Sequence, residues 1–357
     1  MVAKKILIVG PSWVGDMVMA QALFISLRQR FSDCQIDVLA PAWSLPILAR
    51  MPQVRRGIAM PVGHGKLQLG LRYGLAKKLA KEHYQQAIVL PNSLKSALIP
   101  LMAGIPVRAG WRGEMRFGLL NDIRLLNKKR YPLMVQRFVA LARDADAPVP
   151  EDWPQPALQA DATLAAGLLH ELGLDAEKPL LALCPGAEFG PAKRWPERHF
   201  ATLAAHYIDL GWQVALFGSD NDREVAAAIV AGLSTASRAA CHNLTGRTQL
   251  SEAVDILSTA AAVVSNDSGL MHIAAALGAP LLVVYGSTSP SFTPPLSERV
   301  RVLQLEVDCG PCFKRECPLP KDSGAMACLE DLTPESAIDA LQSLLGEATK
   351  DAVIASQ

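Results

Sequence analysis

Ser265-Asn266-Asp267-Ser268-Gly269-Leu270-Met271-His272, running on into Ile273-Ala274-Ala275-Ala276-Leu277-Gly278-Ala279-Pro280, reads as a strand end that turns into a helix. Residues 260–264 just before it are apolar and of strand length. The alanine-rich stretch after it is closed by Gly278 with Pro280 beyond, the usual order of a helix stop. The polar cluster therefore falls at a helix N-terminus, where unpaired backbone N–H groups and a partial positive charge suit a phosphate. Asp267 and Ser268 are capping residues, Gly269 lets an anion approach the backbone, and His272 lies near the first turn. An ordinary cap would account for Asp-Ser-Gly alone. His272 and the small-residue helix tip the reading to a ligand site.

The same strand–loop–helix unit recurs outward from this junction. Residues 180–184 form an apolar strand, and residues 185–196 form its exit loop; residues 211–218 carry the next strand. In the first half, residues 5–9 read as a buried strand, 10–16 as a loop and 17–30 as a helix. Strands at 35–39 and 86–90 follow, the latter leaving through Pro91-Asn92-Ser93 with Lys95 just beyond. Such alternation predicts parallel, doubly wound α/β sheets with sites at the carboxyl ends of strands. The first loop has neither a dinucleotide fingerprint nor a P-loop. Asp16, at the start of a helix, is commonly no more than a partner of the helix dipole. Four prolines within residues 147–156 mark a stiff connector. The expected domains are 1–156 and 157–330, with a terminal helix and tail over 331–357 that in such folds often returns to the first domain.

Length and composition agree with two soluble domains: 357 residues, 50% hydrophobic and 19% charged. No apolar run reaches membrane-spanning length, and no export signal is read, so seven cysteines suggest reduced thiols in the cytoplasm. The net charge of +1 hides an asymmetry, because residues 1–150 hold 22 Lys and Arg against 8 Asp and Glu, and the remainder 13 against 26. A basic half should meet something anionic. Positive charge is densest between Arg108 and Arg143, with Trp111 and Phe117 interleaved. No nucleic-acid motif occurs there, and arginine geometry suits a lipid-borne phosphate or carboxylate.

Two motifs carry a resemblance. Asp267-Ser268-Gly269-Leu270-Met271-His272 with its alanine-rich helix, and the loop Ala187-Glu188-Phe189-Gly190-Pro191-Ala192-Lys193-Arg194-Trp195-Pro196, resemble the lipopolysaccharide heptosyltransferases. These are inverting glycosyltransferases of the GT-B fold, with two Rossmann-like domains facing across a cleft. The second motif is similar to members that act on an already heptosylated acceptor. The resemblance implies ADP-heptose as donor, lipid A-linked core as acceptor, and work at the inner face of the cytoplasmic membrane without nucleic acid. It implies Asp16 as catalytic base. Lys193 would neutralise the leaving diphosphate, with Glu188, Asp267, Ser268, Gly269 and His272 around the donor. Asp222 is the first choice for the ribose and Glu224 the second. Ser12, Lys95, Arg112 and Arg116 are the candidates for the acceptor.

No divalent metal is expected. Asp220-x-Asp222 and Asp144-x-Asp146 match a metal-nucleotide pattern of another glycosyltransferase fold by chance frequency. Cys309, Cys312, Cys317 and Cys328 could hold a structural zinc, though beyond the first pair their spacing matches no common zinc module. The rival readings are a sugar-nucleotide epimerase of the same fold and a non-enzymatic polyanion or nucleic-acid binder.

Overall fold

The computed structural model describes residues 3–63 and 65–355. The chain divides into two compact units, residues 1–159 and 160–357. Each is built on a six-stranded sheet, and all the strand pairings are parallel.

In the first unit the strands are β1 (Lys5–Val9), β2 (Gln35–Ala40), β3 (Val54–Ala59), β4 (Gln86–Val89), β5 (Val107–Trp111) and β6 (Asp122–Arg124), laid side by side as β3-β2-β1-β4-β5-β6. In the second they are β7 (Leu180–Cys184), β8 (Gln213–Leu216), β9 (Cys241–Asn243), β10 (Ala262–Asn266), β11 (Leu281–Tyr285) and β12 (Val300–Gln304), laid as β12-β11-β10-β7-β8-β9. Read from its own first strand, the second sheet repeats the winding of the first. The order reverses between β1 and β4 in one unit and between β7 and β10 in the other. Crevices at the carboxyl ends of such strand pairs are where open α/β sheets take ligands.

Burial follows from the parallel winding. β7, β8, β10 and β11 are buried at every residue, as expected of strands covered by helices on both faces. Leu181, Leu183, Val264, Leu282 and Val284 from these strands pack with Trp195, Phe200, Tyr207 and Leu341 in the core of the second unit. Leu7, Val9, Leu39, Ala87 and Val89 play the same part in the first, with Ala76 and Leu79 from the Leu69–Ala80 helix. The Pro334–Ala355 helix packs on the Glu197–Asp209 helix and on β11 and β12 of its own unit.

Three local boundaries differ from the sequence pattern. The first helix runs Val14–Arg30, so Asp16 lies inside its first turn rather than in the preceding loop. Its cap is Trp13 in extended conformation without a side-chain hydrogen bond, so no Ser, Thr or Asp marks the start. β10 continues through Ser265 and Asn266, two polar residues that the apolar pattern excluded. The Leu69–Ala80 helix starts after Gln68, which is left-handed and makes no capping side-chain hydrogen bond, so no capping residue marks that start either.

In the first unit Asp37, in β2, is a fully buried carboxylate. Arg55 Nε donates to it at 2.7 Å and Arg56 Nε at 3.0 Å, and the Tyr84 hydroxyl closes the group. Burial pushes the Asp37 carboxyl up, yet Arg55, Tyr84 and Arg56 together hold it below the usual carboxylate range.

Candidate active site

In the second unit the two loops at the sheet's reversal meet. Lys193, in the β7 exit loop, donates from Nζ to Asp267 Oδ2 at 2.5 Å and to the Asp267 carbonyl at 3.2 Å. Thr288 Oγ1, after β11, donates to the same carboxylate oxygen at 2.6 Å. Asp267 is buried and Lys193 nearly so, their side chains being 4% and 12% exposed. Asn266, the last residue of β10, ties the same loops together: Nδ2 donates to the Pro185 carbonyl at 2.6 Å and Oδ1 accepts from Trp195 N at 3.1 Å. Trp195 is wholly buried and donates from Nε1 to the Leu332 carbonyl at 2.7 Å. The loop carrying Lys193 is thus anchored on both sides of it.

The helix after β10 runs Gly269–Ala276 with Ser268 as cap, Oγ accepting from Met271 N at 3.4 Å. Gly269 is its first residue, as the capping pattern predicts. His272, on the first turn, is buried, and its imidazole is lowered to about 4. Burial is the main cause; Asp267 pulls the other way and Lys193 adds to the lowering. A neutral ring therefore stands behind the Lys193–Asp267 pair at neutral pH.

Two expected donor residues sit differently. Asp222 is 5% exposed, and its Oδ2 accepts from Ser219 N and Oγ, both at 2.9 Å. It packs so tightly that a Cβ on Gly186 would lie 2.4 Å from its Cγ, so glycine is required there. Its carboxylate braces the β8 exit loop. Glu188 is exposed beside it, with Oε1 accepting from Ser219 Oγ at 3.1 Å and Asn221 Nδ2 at 3.4 Å. Glu224 is exposed as well.

In the first unit Asp16 is half-buried in the first turn of its helix, at the carboxyl end of β1. Ser12 is half-buried two residues before the helix, and its carbonyl accepts from Trp43 Nε1 at 3.3 Å. Lys95 lies in the β4 exit loop, and its carbonyl is held by Arg72 Nη1 at 3.1 Å. Both loops belong to the reversal of this sheet.

Arg112 is exposed, but Arg116 is 1% exposed. Arg116 Nη1 donates to the Pro91 carbonyl at 2.7 Å and Nη2 to the Trp111 carbonyl. Arg116 thereby holds the β4 and β5 exit loops together. Arg108 and Arg124 also point inward, to the carbonyls of Leu119 and Ile105 and of Ala140. Much of the arginine density in this stretch is thus internal main-chain bracing.

The four late cysteines are reduced, and among the described residues no group of three or more His, Cys, Asp or Glu side chains is arranged to hold a metal. The Cys328 thiol is pushed up to about 11, chiefly by burial and further by Cys309, Cys312 and Cys317.

With this geometry in view, comparison with known proteins is decisive. The sequence model of glycosyltransferase family 9 (heptosyltransferase) matches residues 72–322. The chain belongs to that family. Lipopolysaccharide heptosyltransferase 2 of Escherichia coli K12 is 49% identical over 348 residues, covering 96% of this chain and 98% of that protein. Lipooligosaccharide heptosyltransferase 2 of Haemophilus influenzae is 50% identical over 351 residues, covering 96% and 100%. The solved structure of E. coli ADP-heptose LPS heptosyltransferase II superposes with a TM-score of 0.87 at 46% identity, over 97% of this chain and 99% of that one. The fold is therefore GT-B and the protein a glycosyltransferase, as the sequence motifs implied.

The pattern gave Asn266 and Trp195 no role although both lie in the quoted motifs, and it did not point to Thr288. Nothing local marks Asn266 as a tie between loops, and Thr288 was hidden by its distance along the chain from the motif it supports. The Gly286-Ser287-Thr288 run after an apolar strand was the available signal for the second.

Proposed function

We propose that the protein transfers heptose from ADP-heptose onto the first heptose of the lipopolysaccharide inner core, with inversion at the anomeric carbon. The observation that carries this reading is near-half identity over the full length of two proteins named heptosyltransferase 2, combined with a buried Lys–Asp pair beside a capped helix N-terminus.

In this reading the second unit takes the donor. Lys193 has three N–H donors, of which Asp267 occupies two. The third, with the Ser268–Gly269 backbone, receives the diphosphate. Asp267, Thr288 and Asn266 are positioning residues for that lysine. Glu188 is the carboxylate in reach of solvent for a sugar or ribose hydroxyl. The first unit takes the acceptor, with Ser12, Lys95 and Arg112 as contacts. Asp16 accepts the proton of the acceptor hydroxyl as its oxygen bonds to the anomeric carbon. The bond from that carbon to the ADP oxygen breaks, and ADP leaves with the electron pair. Fixed cationic groups meeting the charge as it forms remove the need for a divalent metal.

We also propose that the protein works in the cytoplasm as a peripheral protein of the inner membrane. No helix among the described residues is long and apolar enough to cross a membrane. The Leu69–Ala80 helix and its lead-in expose Leu67, Leu69, Leu71 and Tyr73 beside Lys66, Lys77 and Lys78, a composition suited to an anionic lipid surface.

A transfer assay with ADP-heptose and graded acceptor truncations tests the function. Transfer should require an acceptor that already carries one heptose. Transfer only to an unheptosylated acceptor, or sugar release without any acceptor, would overturn the reading.

A further inference from the structure

The Lys193–Asp267 pair is electrically neutral as a unit, so the positive charge that a diphosphate requires must come partly from elsewhere. The cysteine-bearing segment after β12 supplies a candidate. Phe313 N donates to the Ser287 carbonyl at 2.7 Å, Ser287 N to the Ala192 carbonyl at 3.2 Å, and Ala192 N to the Arg315 carbonyl at 3.0 Å. Three chain segments are thereby stitched by main-chain bonds: the Lys193 loop, the β11 exit loop and residues 313–315. The approach is close enough that a Cβ on Gly190 would lie 2.4 Å from the Arg315 carbonyl oxygen, so only glycine fits.

This stitching fixes where the Arg315 side chain starts. The guanidinium carbon lies 5.5 Å from the centre of the Phe189 ring, and Lys193 Nζ lies 5.1 Å from the same centre. One aromatic ring therefore serves two cations, a contact that restrains a guanidinium while leaving its N–H groups available. Arg315 is exposed, and no carboxylate pairs with it among the described residues. Its neighbour Lys314 is exposed too, but has no aromatic partner among the described residues.

We infer that Arg315 is a donor-binding residue: it supplies the uncompensated positive charge for the diphosphate of the sugar nucleotide, beside Lys193. The inference rests on the donor reading given above. It assigns the cysteine-bearing segment a part in the site, as the strap that presents this arginine. Because the strap uses main-chain atoms of Arg315, truncating the side chain leaves the strap in place.

The test is calorimetric titration of the full chain with ADP, AMP and adenosine. Arg315→Ala should weaken ADP about 10-fold, the scale of a lost charge-assisted contact, with a smaller loss for AMP and none for adenosine. Arg315→Lys should recover part of the ADP affinity, and Lys314→Ala should match the wild type. ADP affinity of Arg315→Ala within twofold of the wild type would overturn the inference, as would equal losses for ADP and adenosine. Failure of the wild type itself to bind ADP would instead refute the donor reading on which it rests.

Discussion

In the proposed function Lys193 serves stability as well as binding, and a double-mutant cycle separates the two. Replacing it by Met keeps its bulk and removes the ammonium, leaving Asp267 buried with only the Thr288 hydroxyl as side-chain partner. Breaking a buried pair in this way costs about 3–5 kcal/mol. The lower end applies here, since Thr288 remains and Lys193 is 12% rather than fully buried. For a unit of this size, about 3 kcal/mol should lower its melting temperature by about 6–12 °C. Asp267→Asn removes the opposite charge and should cost a similar amount, because it strands the ammonium. The double variant leaves no net buried charge, and Asn can still accept from Thr288. It should therefore recover about 2 kcal/mol relative to additivity. ADP affinity should not recover, because both variants without Lys193 lack the cation. Urea unfolding followed through the second unit, with ADP titration of each variant, measures both arms. Additive stabilities, or a Lys193→Met loss below about 1 kcal/mol, would show that the pair is not coupled as its burial demands. Restored ADP binding in the double variant would show that Lys193 does not contact the diphosphate.

Asp16→Asn should lower kcat by about 10²–10⁴-fold with ADP affinity nearly unchanged, as expected for loss of a general base; steady-state kinetics measure it, and a kcat within a few-fold of wild type would remove Asp16 from the mechanism. Arg112→Glu should raise the acceptor KM while sparing the donor KM, with the effect shrinking as salt is added. Arg116→Ala should instead destabilise the first unit by about 2–4 kcal/mol, since the Pro91 and Trp111 carbonyls lose their donor, and thermal unfolding distinguishes the two arginines. His272, lowered to about 4 from an ordinary 6.5, stays neutral in the folded protein while its unfolded counterpart takes up a proton, so stability should fall as pH drops from about 6.5 to 4. The full loss is about 3 kcal/mol, and His272→Phe should flatten that part of the stability–pH curve.

Several strands were legible because parallel sheets bury both faces and leave short apolar runs, as in Lys5–Val9 and Leu180–Cys184, whereas the more exposed β3, β6 and β12 were not. Helix starts were legible where a side chain caps them, as Ser268 does, and not at Trp13, where none does. Charge counting identified a basic first half but could not tell Arg112 from Arg116, four residues apart. What separates them is burial against carbonyls of the β4 and β5 exit loops, a tertiary fact with no local signature. The burial of Asp222 was hidden from the sequence for the same reason. A carboxylate at a strand exit reads alike whether it faces solvent or braces a glycine-lined loop.

The repeated winding also bears on how the chain is made. Every strand and helix that completes the first sheet lies within residues 1–159, so that unit can finish folding while the second is still being synthesised. The second unit has no such advantage. Ala337, Leu341 and Leu344 of the Pro334–Ala355 helix belong to its central apolar cluster, together with Leu181, Trp195 and Phe200, which are made much earlier. Those earlier residues stay without their cover until residues 337–344 have been made. During that interval they are a natural target for holding chaperones, and premature termination ahead of residue 334 would leave a well-formed first unit tethered to an aggregation-prone second.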